Sequence, residues 1–68
     1  MISNNKNFDV YSSYVKGDLQ ADTIKIGDDW GCAFYKNGEF IKTETYKGHS
    51  ESYAEDAADN YVFGIKKL

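Results

Sequence analysis

The stretch Lys36-Asn37-Gly38-Glu39 decides the fold, because it identifies a tight β-hairpin. Asn-Gly readily takes the two positive φ angles that a type I′ turn requires. Side chains alternate between the two faces of a strand, so the turn also sets the register. The pairs predicted on one face are Phe34–Ile41, Cys32–Thr43 and Trp30–Thr45, and those on the other face are Tyr35–Phe40 and Ala33–Lys42.

Two earlier turn signals extend this hairpin into a sheet. The stretches Lys16-Gly17-Asp18 and Gly27-Asp28-Asp29 are each interpreted as a three-residue loop. The resulting partners are Phe8–Ile26, Val10–Ile24, Ile24–Cys32 and Ile26–Trp30. All three turns then agree on one apolar face, which consists of Phe8, Val10, Ile24, Ile26, Trp30, Cys32, Phe34 and Ile41. Because the separate turn assignments converge, we predict a four-stranded antiparallel meander.

From Ser50 onward the apolar period changes from two residues to three or four, which indicates a helix. Ser52 and Glu55 fit a capping box, and Ser50 is an alternative N-cap. Lys66 and Lys67 would favour the negative end of the helix dipole. The apolar positions of the predicted helix are Ala54, Ala57, Ala58, Tyr61, Val62, Ile65 and Leu68. Its three alanines would let the helix lie close across the sheet.

The predicted fold class is therefore α+β, a ββββα domain whose C-terminal helix packs on one face of the meander. A chain of 68 residues has room for one domain, which we assign to residues 8–68, and residues 1–7 are interpreted as a flexible tail. A domain this small buries only about 60% of the surface of its unfolded chain. Oligomerisation is one common source of additional stability at this size.

The charged residues argue against nucleic acid as the direct ligand. The formal net charge is -3, and all eight basic residues are lysines. Arginine supplies the bidentate contacts that nucleic-acid readers use most, and the chain has none. The polar start of the sequence and the lack of a long apolar run favour a cytoplasmic protein without membrane contact.

The residues that could carry catalysis are few. Cys32 and His49 are the only cysteine and histidine, and Cys32 lies on the predicted buried face while His49 precedes the helix. We therefore expect an inert thiol, no metal site, no cofactor and no enzymatic activity. Asp28 and Asp29 beside Gly27 are better explained as turn residues than as calcium ligands.

The acidic residues of the predicted helix form the first candidate contact surface. Glu51, Glu55 and Asp59 are spaced four apart, with Asp56 alongside. They can be a solvated face whose first-turn acids favour the helix dipole. Alternatively, together with Asp28 and Asp29, they imitate phosphates and occupy a basic groove of another protein.

The uncovered sheet face is the second candidate surface. A single helix covers only one face of a four-stranded sheet, so Tyr35 and Phe40 should pair in the open near the hairpin tip. Exposed aromatic residues of this kind can anchor a partner. They also strengthen cross-strand pairing, and that role alone would explain them.

Two resemblances accompany these observations. Gly48-His49-Ser50 followed by three helix alanines resembles the start of the last helix of double-stranded-RNA-binding domains. That family places lysines after the serine to hold phosphates, whereas this chain has Glu51 and Ser52 there, so the RNA-binding role does not carry over. In type, a short, acidic chain rich in Tyr and Asn resembles the anti-CRISPR and other anti-defence inhibitors of phages and mobile elements.

The second resemblance implies a stoichiometric inhibitor that blocks a host or defence complex that processes nucleic acid. We predict that Glu51, Glu55, Asp56 and Asp59, with Asp28 and Asp29, steer the encounter, and that Tyr35 and Phe40 anchor the complex. A first alternative is a module that homodimerises through the free sheet face or an edge strand. A second is a single-stranded nucleic-acid-binding domain that uses the lysines and tyrosines of the sheet.

Overall fold

The computed structural model describes residues 8–68, which form a single antiparallel sheet and one helix. The elements are β1 (Asp9–Lys16), β2 (Leu19–Ile26), β3 (Asp29–Lys36), β4 (Glu39–Tyr46) and α1 (Glu51–Val62). The strands lie in the order β1-β2-β3-β4, so the predicted meander and the ββββα architecture are confirmed. The tail predicted for residues 1–7 lies outside the described residues.

Each hairpin of the meander closes through a two-residue turn. Asn37 and Gly38 have φ angles of 55° and 81°, as the type I′ prediction requires. The first turn residues of the other two hairpins, Gly17 and Gly27, have φ angles of 62° and 61°. A single positive φ at the first position is typical of a type II′ turn. The three-residue loops predicted for these two hairpins are therefore wrong.

A loop shorter by one residue moves every side chain of the following strand to the other face. Ile24 pairs with Gly31 rather than with Cys32, and Ile26 pairs with Asp29 rather than with Trp30. Phe8 lies before β1 and has no strand partner. The predicted apolar face is therefore divided: Trp30, Cys32 and Phe34 lie on one face of the sheet, and Val10, Ile24 and Ile26 lie on the other.

Both edge strands contain a bulge. In β1 the register shifts between Val10 and Ser12, so Tyr11 has no partner opposite. This extra residue offsets the shorter loop, and Val10 pairs with Ile24 as predicted. In β4 the shift leaves Ile41 without a partner. Tyr35–Phe40 is confirmed, whereas the other predicted pairs of this hairpin are wrong; the observed ones are Phe34–Lys42, Ala33–Thr43, Cys32–Glu44, Gly31–Thr45 and Trp30–Tyr46.

The helix begins directly after Ser50, its N-cap, so the capping box predicted at Ser52 is wrong. It ends at Val62, because Gly64 turns the chain with a φ of 80° and the N–H of Ile65 donates to the Asn60 carbonyl at 2.8 Å. Ile65, Lys66, Lys67 and Leu68, which were predicted within the helical pattern, therefore lie beyond it.

The core lies between the helix and the sheet. The helix packs on β1, β2 and β3 through its small residues Ala54 and Ala58, which are fully buried. Phe34 meets Tyr61 edge to face at 4.8 Å between ring centroids, and the Tyr61 hydroxyl donates to the Tyr35 carbonyl at 3.2 Å. The buried residues of this cluster are Ala21, Cys32, Phe34, Ala54, Ala58, Tyr61 and Val62.

Candidate interaction surfaces

The sheet face opposite the helix, called here the open face, carries a row of three apolar or aromatic side chains and one glutamine beside the hairpin tip. The row crosses all four strands through the successive partners Val15, Gln20, Tyr35 and Phe40. The Tyr35 and Phe40 rings meet edge to face, with centroids 5.7 Å apart. Val15 is 65% exposed and Phe40 56%. None of the elements described for residues 8–68 covers this row.

The charges of the strands are divided unevenly between the two faces. The register places Lys16, Lys25, Lys36 and Lys42 on the helix side of the sheet. On the open face, the charged strand residues are Asp22, which accepts a hydrogen bond from Gln20, and Asp29. A single-strand-binding surface combines stacking aromatics with cations. The open face has the aromatics without the cations, which disfavours that alternative.

The acidic side chains of the helix differ in their surroundings. Glu51, Glu55 and Asp59 follow one another at steps of four residues, so they share one side of the helix, called here the acidic flank. All three are partly exposed. Asp56 is exposed and lies three residues before Asp59, so it is a neighbour of the flank on the helix surface. It also lines a cleft of about 350 Å³ between the helix and β4, together with Tyr46 and Tyr53.

The acidic flank takes no part in the ion pairs of the described residues. Those pairs join Lys66 to Glu44 at 3.0 Å, Lys42 to Glu44 at 3.6 Å and Lys47 to Asp29 at 3.5 Å. Asp28 is exposed in the turn between β2 and β3. Asp29 is therefore paired within its own chain, whereas the flank carboxylates lie outside the ion pairs of residues 8–68.

The two predicted contact surfaces face in opposite directions. The acidic flank belongs to the helix, which covers one side of the sheet, whereas Tyr35 and Phe40 lie on the other. A flat partner surface cannot contact both at once. The sequence patterns identified each surface separately. Because two loops were predicted one residue too long, the sequence did not predict that Val15 and Gln20 lie in one row with Tyr35 and Phe40.

A polar cluster beneath the helix was not predicted. The Tyr46 hydroxyl donates to the Glu44 carboxylate at 2.8 Å, and Lys66 contacts the same carboxylate. Burial would raise the pKa of Glu44, but these hydrogen bonds and the charges of Lys66 and Lys42 outweigh it and hold the pKa below its usual value. Burial and the bond to Glu44 raise the pKa of Tyr46. The cluster ties the segment after the helix to β4.

Cys32 and His49 do not form a catalytic pair. Cys32 is fully buried and its thiol donates to the Ala54 carbonyl at 3.0 Å. Burial and the nearby charge of Glu44 raise the pKa of this thiol to about 11. His49 stacks on Tyr53 with ring centroids 3.8 Å apart. In this arrangement the imidazole is not the base of the thiol, so the thiol lacks the activation that nucleophilic catalysis requires.

Comparison with known protein families, with curated proteins and with solved structures finds no match to this chain. No helix among residues 8–68 has the length and apolar content needed to cross a membrane. Within the same residues, no three His, Cys, Asp or Glu side chains come close enough together to hold a metal ion.

Proposed function

We propose that this chain is a small non-catalytic, protein-binding inhibitor that blocks a host or defence complex that processes nucleic acid. The observation that carries the proposal is the acidic flank, Glu51, Glu55 and Asp59, whose carboxylates lie outside the ion pairs of the described residues. Successive carboxylates lie about 6 Å apart along the helix axis. A row of this kind can meet the lysines and arginines that otherwise hold a nucleic-acid backbone.

The flank acts first through the rate of association. Like charges at four-residue spacing destabilise an isolated helix by a few tenths of a kcal/mol per pair. The chain carries this arrangement on a helix whose other side is firmly packed on the sheet. A basic groove would relieve the repulsion on binding, and the field of the flank would raise the on-rate toward such a groove.

The geometry changes the role proposed for Tyr35 and Phe40. An anchor for the same complex would have to lie beside the acidic flank, but this aromatic pair lies on the opposite face of the sheet. We therefore assign the inhibited partner to the helix side. The proposed setting is a phage-encoded protein acting in the cytoplasm of a bacterial host.

The test is capture from a bacterial lysate treated with nuclease, with the full chain immobilised. Wild type is compared with a flank variant, Glu51→Gln/Glu55→Gln/Asp59→Asn. The matched control, Asp9→Asn/Asp18→Asn/Glu39→Gln, removes the same number of negative charges from exposed positions outside the helix. Both variants are checked for folding by circular dichroism, so that a loss of capture is not a loss of structure.

The proposal predicts that wild type and the control variant retain a complex that handles nucleic acid, and that the flank variant does not. Heparin, a polyanion that competes for basic grooves, should elute the captured complex. Equal capture by the flank variant, or capture that heparin leaves intact, would contradict phosphate imitation by this helix.

A further inference from the structure

The cleft between the helix and β4 has the chemistry of a site for a cation, and we infer that it receives an arginine side chain of the inhibited partner. The inference rests on the proposed function and adds an anchor to it, since the acidic flank by itself supplies only charge. The cleft has a volume of about 350 Å³. It exists because the helix packs mainly on β1, β2 and β3, which leaves its side toward β4 open.

Two tyrosine rings form the aromatic walls of the cleft. Tyr46 of β4 and Tyr53 of the helix both line it, and their rings meet at 71° with centroids 5.2 Å apart. The Tyr46 hydroxyl donates to the Glu44 carboxylate at 2.8 Å. His49 stacks on Tyr53 with ring centroids 3.8 Å apart, and Tyr53 is still 46% exposed. Both rings are thus held in place before a ligand arrives, which lowers the entropy cost of binding.

The charged groups of the cleft select a cation rather than an anion. Asp56 and Lys66 both line it. Lys66 lies 3.0 Å from the Glu44 carboxylate, whereas Asp56 is exposed and lies outside the ion pairs of residues 8–68. An anion would compete with Glu44 for Lys66 and would be repelled by Asp56. A cation instead meets the Asp56 carboxylate beside the two aromatic rings.

Arginine fits this combination better than lysine. A planar guanidinium stacks on aromatic rings and donates two parallel N–H groups to a carboxylate, so it can use the rings and the acid of the cleft together. A lysine ammonium is a strongly hydrated point charge without this geometry. Protein surfaces that hold a nucleic-acid backbone contain arginines. The inferred occupant is therefore of the kind that the acidic flank is proposed to meet.

Asp56 connects the cleft to the acidic flank. It lies three residues after Tyr53 and three before Asp59, so it stands between the cleft and the flank on the helix surface. One basic surface lying along the helix can therefore contact the flank and place an arginine in the cleft. Tyr35 and Phe40, on the opposite face of the sheet, cannot supply this anchor.

The first test is a titration of the full chain with N-acetyl-arginine-N-methylamide, followed by NMR. We expect binding in about the millimolar range that shifts the signals of Tyr46 and Tyr53. The citrulline counterpart, which has a similar shape without the charge, should not bind. Asp56→Asn and Tyr53→Ala, checked for folding by circular dichroism, should each raise the dissociation constant at least about fivefold. Tyr53→Phe should restore most of the lost binding, and Asp18→Asn, which removes a carboxylate from an exposed turn, should bind as wild type does.

The inference is overturned if the citrulline or lysine counterpart binds as tightly as arginine, or if Asp56→Asn and Tyr53→Ala bind arginine as wild type does. In the capture assay, the double variant Asp56→Asn/Tyr53→Ala should bind the complex at least about fivefold more weakly. Full capture by this variant, with loss in the flank variant, would overturn the arginine site and leave the proposed function in place. Arginine binding in the cleft without any captured complex would instead overturn the proposed function.

Discussion

The rings of Tyr35 and Phe40 meet edge to face across the β3–β4 hairpin, with centroids 5.7 Å apart, on the side of the sheet that the helix leaves open. The contact depends on the Asn37-Gly38 turn, which brings the two residues directly opposite each other. One ring is half-buried and the other is mostly exposed. The pair therefore stabilises the hairpin and leaves much of the Phe40 ring exposed to solvent.

The Asn37 turn gives the first prediction. Asn37 has a φ of 55°, which is a left-handed conformation that costs most residues about 1 to 2 kcal/mol. Asn37→Ala should lower the free energy of unfolding by about 1 kcal/mol in urea denaturation, because alanine lacks the tolerance of asparagine for this region. Asn37→Gly should be neutral or slightly stabilising. An equal loss in both variants would show that the turn conformation is not the cause.

Gly31 gives the second prediction. A Cβ atom at this position would overlap the carbonyl oxygen of Glu44 on the neighbouring strand, and backbone atoms cannot swing away as a side chain can. Gly31→Ala should therefore cost about 1 to 3 kcal/mol in the free energy of unfolding. Thr45→Ala, at the position that pairs with Gly31, is the comparison. A Gly31→Ala protein as stable as wild type would mean that β3 and β4 lie further apart than described.

The Cys32 thiol gives the third prediction. Its burial and raised pKa should make it react with Ellman's reagent at pH 8 at least about 100-fold more slowly in the folded protein than in urea. The chain has one cysteine, so the same sample in denaturant is the control. A thiol that reacts equally fast in both states would be exposed, contrary to its contact with Ala54.

Glu44 gives the fourth prediction, through the dependence of stability on pH. Its pKa is lowered in the folded chain, so its contribution is complete above the ordinary glutamate pKa of about 4.3 and is lost as the pH falls through the folded value. Glu44→Gln should therefore flatten the fall in unfolding free energy below about pH 5. The measurement is urea denaturation of wild type and Glu44→Gln between pH 3 and pH 7, and an equally steep fall in both proteins would contradict this role of Glu44.

The sequence was sufficient for the order of the elements and for the Asn37-Gly38 turn, since each depends on local signals, whereas the bulge at Ile41 changed the pairs beyond Tyr35–Phe40. Asn-Gly specified its own turn type, and the alanine spacing marked the buried side of the helix. The faces of the other strands depended on loop length. Gly17 and Gly27 fit two- or three-residue loops equally well, and the wrong choice placed Ile24 beneath the helix rather than on the open face.

The candidate surfaces were predicted in part for the same reason. Acidic spacing on a helix is a local property, so Glu51, Glu55 and Asp59 could be identified directly. The cleft that Asp56 lines with Tyr46 and Tyr53 depends on how the helix sits on the sheet, which no local pattern contains. The ion pair between Glu44 and Lys66 joins residues 22 positions apart. It could not be predicted because the apolar pattern extended the helix to Leu68, whereas the helix ends at Val62 and Lys66 follows it.

The central claim is that the helix flank, rather than the open face, contacts the inhibited partner. The most direct test is the affinity of the purified, captured complex for wild type, for Phe40→Ser and for the flank variant, each immobilised in the same way. We predict that Phe40→Ser binds within about twofold of wild type, and that the flank variant loses at least about tenfold. Loss of binding by Phe40→Ser with full binding by the flank variant would contradict the account.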